Sequence, residues 1–279
     1  MIIHVATPAR PAHPGTQQRA DTNVPRLPLY LLGQRPSRVE VDGPALLNRQ
    51  TGKAPRRYPF ARISRIISAA TVEWSAAALQ AVLHNGLPIV FLDRHGMPQG
   101  YLHPPQQRPS TVDALLHELA DRPDGLQLYN DWLRAERMRC LCNWRAERLQ
   151  QGLSVNEADY RELVRRHVHQ GEEAQSGLEG ERFYRSAIDA YALQQTLRAG
   201  ARPTYWTVQG QPLSLTRDLA GLLCLDLALR LHGLGAAVRG DEGAHLTILH
   251  SFGQDIETQC REVFGRLHKH MREVLERWL

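Results

Sequence analysis

At 279 residues, with 42% hydrophobic, 6% aromatic and 23% charged residues, the chain has the composition of a globular protein and enough apolar material for two modest domains. No run approaches the roughly 20 apolar residues of a membrane helix, and the first residues carry no basic region leading into an apolar stretch and cleavage site, so a cytoplasmic protein is expected. The net charge of +5 rests on arginine, with Lys53 and Lys269 the only lysines; guanidinium suits bidentate phosphate contact, although codon usage in a GC-rich genome explains the skew equally well.

In chain order, residues 1–27 open on the apolar run Ile2 to Val5 and then turn rich in proline and glutamine, which reads as a flexible extension. From about residue 28 to 103 the segments YLLGQ, RVEVDG and KAPRRYPFARISRIISAA alternate or carry β-branched residues between Gly and Pro, and read as strands. WSAAALQAVLHNG breaks the series: Leu79, Val82 and Leu83 stand at helical spacing, with Ser75 as a capping residue and Gly86 as a stop. LPIVFLD then reads as a buried strand, and DRHGMPQGYL as a turn into another. HPPQQRPS, with three prolines and no apolar period, is the linker at about 104–110. Beyond it, helices are predicted over 111–121, 126–151, 156–170, 178–199, 212–233 and 255–278. The expected class is α+β: a small β-rich N-terminal domain, then a larger all-α domain over 111–279.

The four cysteines, Cys140, Cys142, Cys224 and Cys260, match neither a zinc ribbon nor a disulfide framework, and are expected to be reduced thiols. Trp74 and Trp132 are expected in the core. Two places concentrate chemistry. In SGLEGERFYRSAIDAY, Glu179 stands at a helix start, where a carboxylate also offsets the helix dipole. In GDEGAHLTILHSFGQDIETQ, His245, His250, Asp255 and several carboxylates crowd together, a donor set suited to Mg2+ or Mn2+; zinc is disfavoured, with no thiolate nearby. Arginines recur at 56, 57, 62 and 65, where Arg57 and Arg62 share a face only through a turn at Pro59. They recur again at 134, 137, 145 and 148 along one helical stripe, which suits phosphates or open water. Arg161 and His167 stand at a spacing some ribonucleases use, a pattern common in arginine-rich helices.

From Leu29 to about Phe264 the chain resembles the CRISPR-associated integrase and endonuclease of spacer acquisition, the Cas one family. PLYLLGQ, RVEVDG and RRYPFARISRIISAATVEWSAAALQAVLHNGLPIVFLDRHGMPQGYL resemble its N-terminal β domain in order; LEGERFYRSAIDAY resembles its glutamate helix; GQPLSLTRDLAGLLCLDLALRLHGLG and SFGQDIET resemble the segments around its histidine and aspartate. The resemblance implies a metal-dependent DNA endonuclease and integrase. It would insert spacer DNA into a CRISPR array by attack of a 3′-hydroxyl on a phosphodiester, with Glu179, His245 and Asp255 as catalytic metal ligands for Mg2+ or Mn2+. Double-stranded and branched DNA, a second copy of the chain and the second Cas adaptation protein (Cas two) are the implied partners. Arg57, Arg62, Arg182 and Arg185 are the residues expected to contact DNA. Three positions depart from the family pattern: GDEGAH precedes His245 without the usual aromatic or aliphatic pair, Thr258 stands at its last acidic position, and Ser214 replaces an asparagine. They motivate an alternative, a catalytically impaired DNA-binding scaffold subunit of an adaptation complex.

Overall fold

A computed structural model of the chain describes residues 26–33, 35–104, 110–173, 181–206, 212–232 and 242–276. Nearly all of the 1–27 extension lies outside the described residues. The chain divides into two compact units, one ending at Pro104 and the other running from Pro105 to Leu279.

The first unit runs β1 (Leu27–Leu31), β2 (Ser37–Asp42), β3 (Ala45–Gln50), β4 (Arg56–Pro59), one 3-10 turn (Phe60–Arg62), β5 (Ile63–Ser68), β6 (Val72–Trp74), α1 (Ala76–His84), β7 (Ile89–Leu92) and β8 (Pro98–Leu102). Its strands form two four-stranded sheets, ordered β1-β5-β7-β8 and β4-β3-β2-β6. β5 lies parallel between β1 and β7. Its run Ile63, Ile66 and Ile67 is almost wholly buried, as an inner parallel strand covered on both faces requires. β2 and β3 are joined through Gly43 at φ 57°, a left-handed conformation that glycine adopts without a Cβ clash. α1 starts where the hydroxyl of Ser75 accepts the amide of Ala78 at 3.1 Å, and the chain leaves it through Gly86 at φ 70°. Val82 and Ala78 turn inward onto Val39, Leu46 and Phe60. Trp74 is half-buried rather than fully in the core, and its indole N–H donates inward to the buried Ser68 hydroxyl at 2.9 Å.

The second unit runs α2 (Thr111–Ala120), α3 (Gly125–Gln150), α4 (Glu157–Leu163), a π-helical turn (Val164–His169), α5 (Glu181–Arg198), β9 (Tyr205–Trp206), β10 (Pro212–Leu213), α6 (Leu215–His232) and α7 (Glu242–Glu276). α6 buries leucines around most of its circumference, with Arg217, Asp218, Asp226 and Arg230 as its charged exceptions, and is the central helix. Leu225 and Leu229 meet Leu141, Trp144 and Tyr160 on one flank, while Leu219, Leu223 and Leu227 meet Ile188, Ala192, Ile256 and Cys260 on the other. Trp132 is buried beside Tyr129 and Leu133. α3 and α7 are joined by a buried ion pair in which Arg266 donates to both carboxylate oxygens of Glu136 at 2.8–3.0 Å.

Three features differ from the sequence expectation. A short hairpin, β9 with β10, precedes α6 where a helix was expected from residue 212. The helix expected over 156–170 changes to a π turn at Val164, and α7 begins at Glu242, thirteen residues before the expected start at Asp255. All four cysteines are free thiols: Cys142 is exposed, Cys224 and Cys260 are buried, and burial pushes the Cys140 thiol up to about 12. Among the described residues no helix is long and apolar enough to cross a membrane.

Candidate functional site

α7 carries two of the three expected metal ligands. His245 and Asp255 stand on the same continuous helix, ten residues and hence about 15 Å apart along its axis. The His245 and His250 side chains lie outside the described residues, and so does Glu179, in the segment between Glu173 and the start of α5.

Asp255 is exposed, and its carboxylate accepts a hydrogen bond from Arg230 of α6 at 3.2 Å. Arg230 also donates to Asp226 at 2.9 Å, and Gln259, one turn beyond Asp255 on α7, donates to the same Asp226 oxygen at 3.2 Å. Burial lowers the Arg230 pKa, but Asp226 and Asp255 outweigh it and hold the guanidinium firmly protonated. The α6–α7 seam therefore carries a polar strip in which one guanidinium bridges two carboxylates, with exposed Thr258 three residues past Asp255. Oxygen donors with one imidazole suit Mg2+ or Mn2+. Among the described residues, however, no three His, Cys, Asp or Glu side chains gather around a point. The expected site is therefore not assembled: a shared ion requires the helix between His245 and Asp255 to break and Arg230 to release Asp255.

A second polar cluster flanks the segment that bears Glu179. Glu173, the last described residue before it, pairs with Arg185 of α5 at 3.2 Å and with Arg217 of α6 at 3.5 Å. Arg185 also approaches Asp189, one turn along α5, at 3.7 Å. Burial pushes the Asp189 carboxyl up to about 6; Arg185 and Arg217 lower it and Glu173 raises it further. Beside it, burial raises the Asp218 carboxyl, against the pull of the Tyr129 hydroxyl, which donates to it at 2.9 Å. Sequence reasoning missed this cluster. The available signal was an aspartate set among apolar residues at helical spacing, Asp189 in SAIDAYAL and Asp218 in LTRDLAGLL.

The arginines expected to contact DNA fall into different settings. The Arg185 side chain is only 15% exposed and engaged by Glu173 and Asp189, a positioning role that leaves little surface for a phosphate. Arg182 lies on α5, its side chain outside the described residues. Arg57, on β4, pairs with the Asp42 carboxylate at 3.0 Å and donates to its backbone carbonyl at 3.0 Å. Arg62 is exposed at the end of the 3-10 turn. Along α3, Arg134 pairs with Asp131, Arg137 donates to the His167 carbonyl, Arg145 reaches Glu157 and covers the Tyr160 ring, and Arg148 covers Trp144. Much of that stripe thus braces α4 and the π turn. His167 is buried with a ring nitrogen 3.0 Å from the Glu172 carbonyl, while Arg161 is exposed beside Glu157, so the two do not form a common site.

The family model described as CRISPR associated protein Cas1 matches residues 29–181. No curated protein matches the chain in sequence. Among solved structures, a Cas1 protein from Thermotoga maritima is similar with a TM-score of 0.60 at 13% identity, covering 89% of this chain and 97% of that one. TtCas1 in a DNA complex has a TM-score of 0.53 at 14% identity, covering 88% and 91%. A casposase bound to integration product has a TM-score of 0.53 at 13% identity, covering 89% and 91%. At these identities the likeness is one of fold.

Proposed function

The chain belongs to the CRISPR-associated Cas1 family, and we propose that it is a DNA integrase and nuclease of spacer acquisition, acting in the cytoplasm. The observation that carries this reading is the family match across the β unit and into the segment bearing Glu179. The fold shared with a Cas1 in a DNA complex and with a casposase bound to integration product supports it.

In this reading Glu179, His245 and Asp255 would hold a Mg2+ or Mn2+ ion, which requires α7 to break between His245 and Asp255, because a continuous helix keeps them about 15 Å apart. The ion, when bound, supplies charge stabilisation at the phosphoryl oxygens and activates the attacking hydroxyl. The chain's own part is positional. α6 fixes Arg230, which pairs with Asp255, and Glu173 is tied to α5 through Arg185. A 3′-hydroxyl of the captured fragment attacks the phosphorus of the target strand; the old P–O bond breaks, and its 3′-oxygen leaves as a new hydroxyl. Water in place of the 3′-hydroxyl gives nuclease action on branched DNA. Duplex DNA, a second copy of the chain and the small Cas2 protein are the partners.

A specific observation favours a second reading. Thr258 stands where the family pattern has an acid, and Asp255 is already satisfied by Arg230. A chain so altered serves as a DNA-binding scaffold subunit without joining strands.

Strand transfer decides between them. A short duplex with free 3′ ends is incubated with supercoiled plasmid, Mg2+ or Mn2+, and EDTA as control. Metal-dependent joining that is lost in both Glu179→Ala and His245→Ala is the expected result. DNA binding without joining, even with Cas2 added, establishes the scaffold reading instead.

A further inference from the structure

The sheet β4-β3-β2-β6 has two faces of opposite character. Its register pairs Ser37 with Gln50, Asn48 with Arg56 and Leu46 with Tyr58, so these six residues share the face that also presents Val39 to the core. That face is buried and apolar at Val39 and Leu46, then turns polar at its far end, through Ser37, Asn48, Gln50 and Arg56. Core-facing strand positions are ordinarily apolar, and polar ones collected at one end require a reason. On the opposite face the cations are neutralised within the sheet: Arg38 and Arg49 both pair with Glu40, and Arg57 pairs with Asp42.

The polar end opens into a recess of about 50 Å³, closed on one side by the end of β1 and on the other by the β3–β4 hairpin. Lys53, from the hairpin turn, and Arg56 both line it, together with Ser37, Asn48 and Gln50; its lining contains no acidic residue. Tyr30 lines it as well, and its hydroxyl is hydrogen-bonded to Arg65, which sets a further guanidinium behind the wall. The Asn48 side-chain oxygen is buried without a hydrogen-bond partner among the described residues. Rotating that amide by half a turn places its NH2 donors there instead. The recess holds the space of about four waters, the volume of one tetrahedral oxyanion, since a water needs roughly 10–15 Å³ on this measure.

We propose that this recess binds a phosphate monoester, the 5′-terminal phosphate of a DNA fragment. The inference rests on the DNA-integrating reading above. A phosphodiester inside a strand needs an exit for both ester arms, whereas a recess closed on two sides accepts a group with one arm. A monoester also carries about −1.5 to −2 charges at neutral pH, matched by an ammonium and a guanidinium with neutral donors between them. The site thereby reads the chemistry of the fragment's 5′ end, a feature that 3′-hydroxyl attack itself does not sense.

The test is a fluorescence-anisotropy titration of the full chain with two duplexes identical except for a 5′-phosphate or a 5′-hydroxyl, run in parallel with titrations of inorganic phosphate and of a deoxynucleoside 5′-monophosphate. The expected result is about tenfold tighter binding of the phosphorylated duplex, the size of one charge-assisted contact. In Lys53→Ala and Ser37→Ala that preference falls toward one, while affinity for the hydroxyl-ended duplex holds within about twofold. Equal binding of both ends by the wild type overturns the proposal and leaves the integrase reading standing, as does a Lys53→Ala variant that weakens both duplexes alike. If neither duplex binds, the DNA reading fails. The recess then stands as a site for free monophosphates if Lys53→Ala abolishes nucleotide binding, and is refuted if the wild type binds none. Preference for free nucleotide over phosphorylated duplex ends overturns the assignment to a DNA end.

Discussion

Replacing Glu136 by Gln removes the negative charge with which α3 holds Arg266 of α7. The Glu136 side chain is 3% exposed, and Arg266 donates to it three times between 2.8 and 3.0 Å, with Arg139 at 3.5 Å. Glutamine keeps the shape but turns NH2 donors toward guanidinium donors, leaving Arg266 only the exposed Glu262 at 3.6 Å as counter-charge. Breaking a buried pair in this way costs about 3–5 kcal/mol. Arg266 is itself 31% exposed and recovers some hydration, which sets the expectation at the lower end, about 3 kcal/mol. For a unit of this size that corresponds to a fall of about 6–12 °C in Tm. Calorimetry or circular dichroism of the helical unit's transition measures it, and the pair Glu136→Leu with Arg266→Met returns to within about 1 kcal/mol of wild type. A loss under about 1 kcal/mol in Glu136→Gln refutes the argument that this contact is a buried, charge-matched anchor.

Two further outcomes follow from local geometry. A Cβ on Gly125 falls 1.8 Å from the Leu119 carbonyl oxygen, so Gly125→Ala forces the backbone between α2 and α3 to move and destabilises by about 2–3 kcal/mol, read by urea unfolding; an unchanged midpoint contradicts the close approach. The Asp189 carboxyl, raised to about 6 in the folded chain from an ordinary 3.8, binds more protons folded than unfolded between those values. Its contribution to stability therefore falls as pH rises from about 4 to 6, by about 3 kcal/mol, and is constant above that. The difference between wild type and Asp189→Asn, measured by unfolding across pH 4–7, carries that slope; a flat difference refutes the shift.

Local signals made the β unit legible. Ser75 as a cap, Gly86 as a stop, and the β-branched run Ile63 to Ile67 are read from neighbours alone, and each appears where that chemistry puts it. The π turn was invisible because it is set by partners distant in sequence: the Arg137 contact to the His167 carbonyl comes from α3. The start of α7 was misplaced because Gly243 and Gly253, with the acids around them, resemble loop punctuation, yet the helix runs through Gly253. In the polar clusters around Asp255 and Arg185, the sequence supplies the residue types but not their juxtaposition. Nothing around Asp255 in sequence announces that Arg230, twenty-five residues earlier, meets its carboxylate. Likewise Arg185 reads as a surface cation until Glu173 and Asp189 are seen on either side of it.

The uneven standing of the four thiols gives the chain a native chemical handle. Cys224 and Cys260 are enclosed and Cys140 stays protonated at working pH, which leaves Cys142 as the thiol that an alkylating dye meets first. Its sulfur lies 3.6 Å from the Tyr160 hydroxyl, at the joint of α3 with α4. A single fluorophore attached there, with no cysteine removed by mutation, would report by its emission how that joint responds when DNA or metal is added.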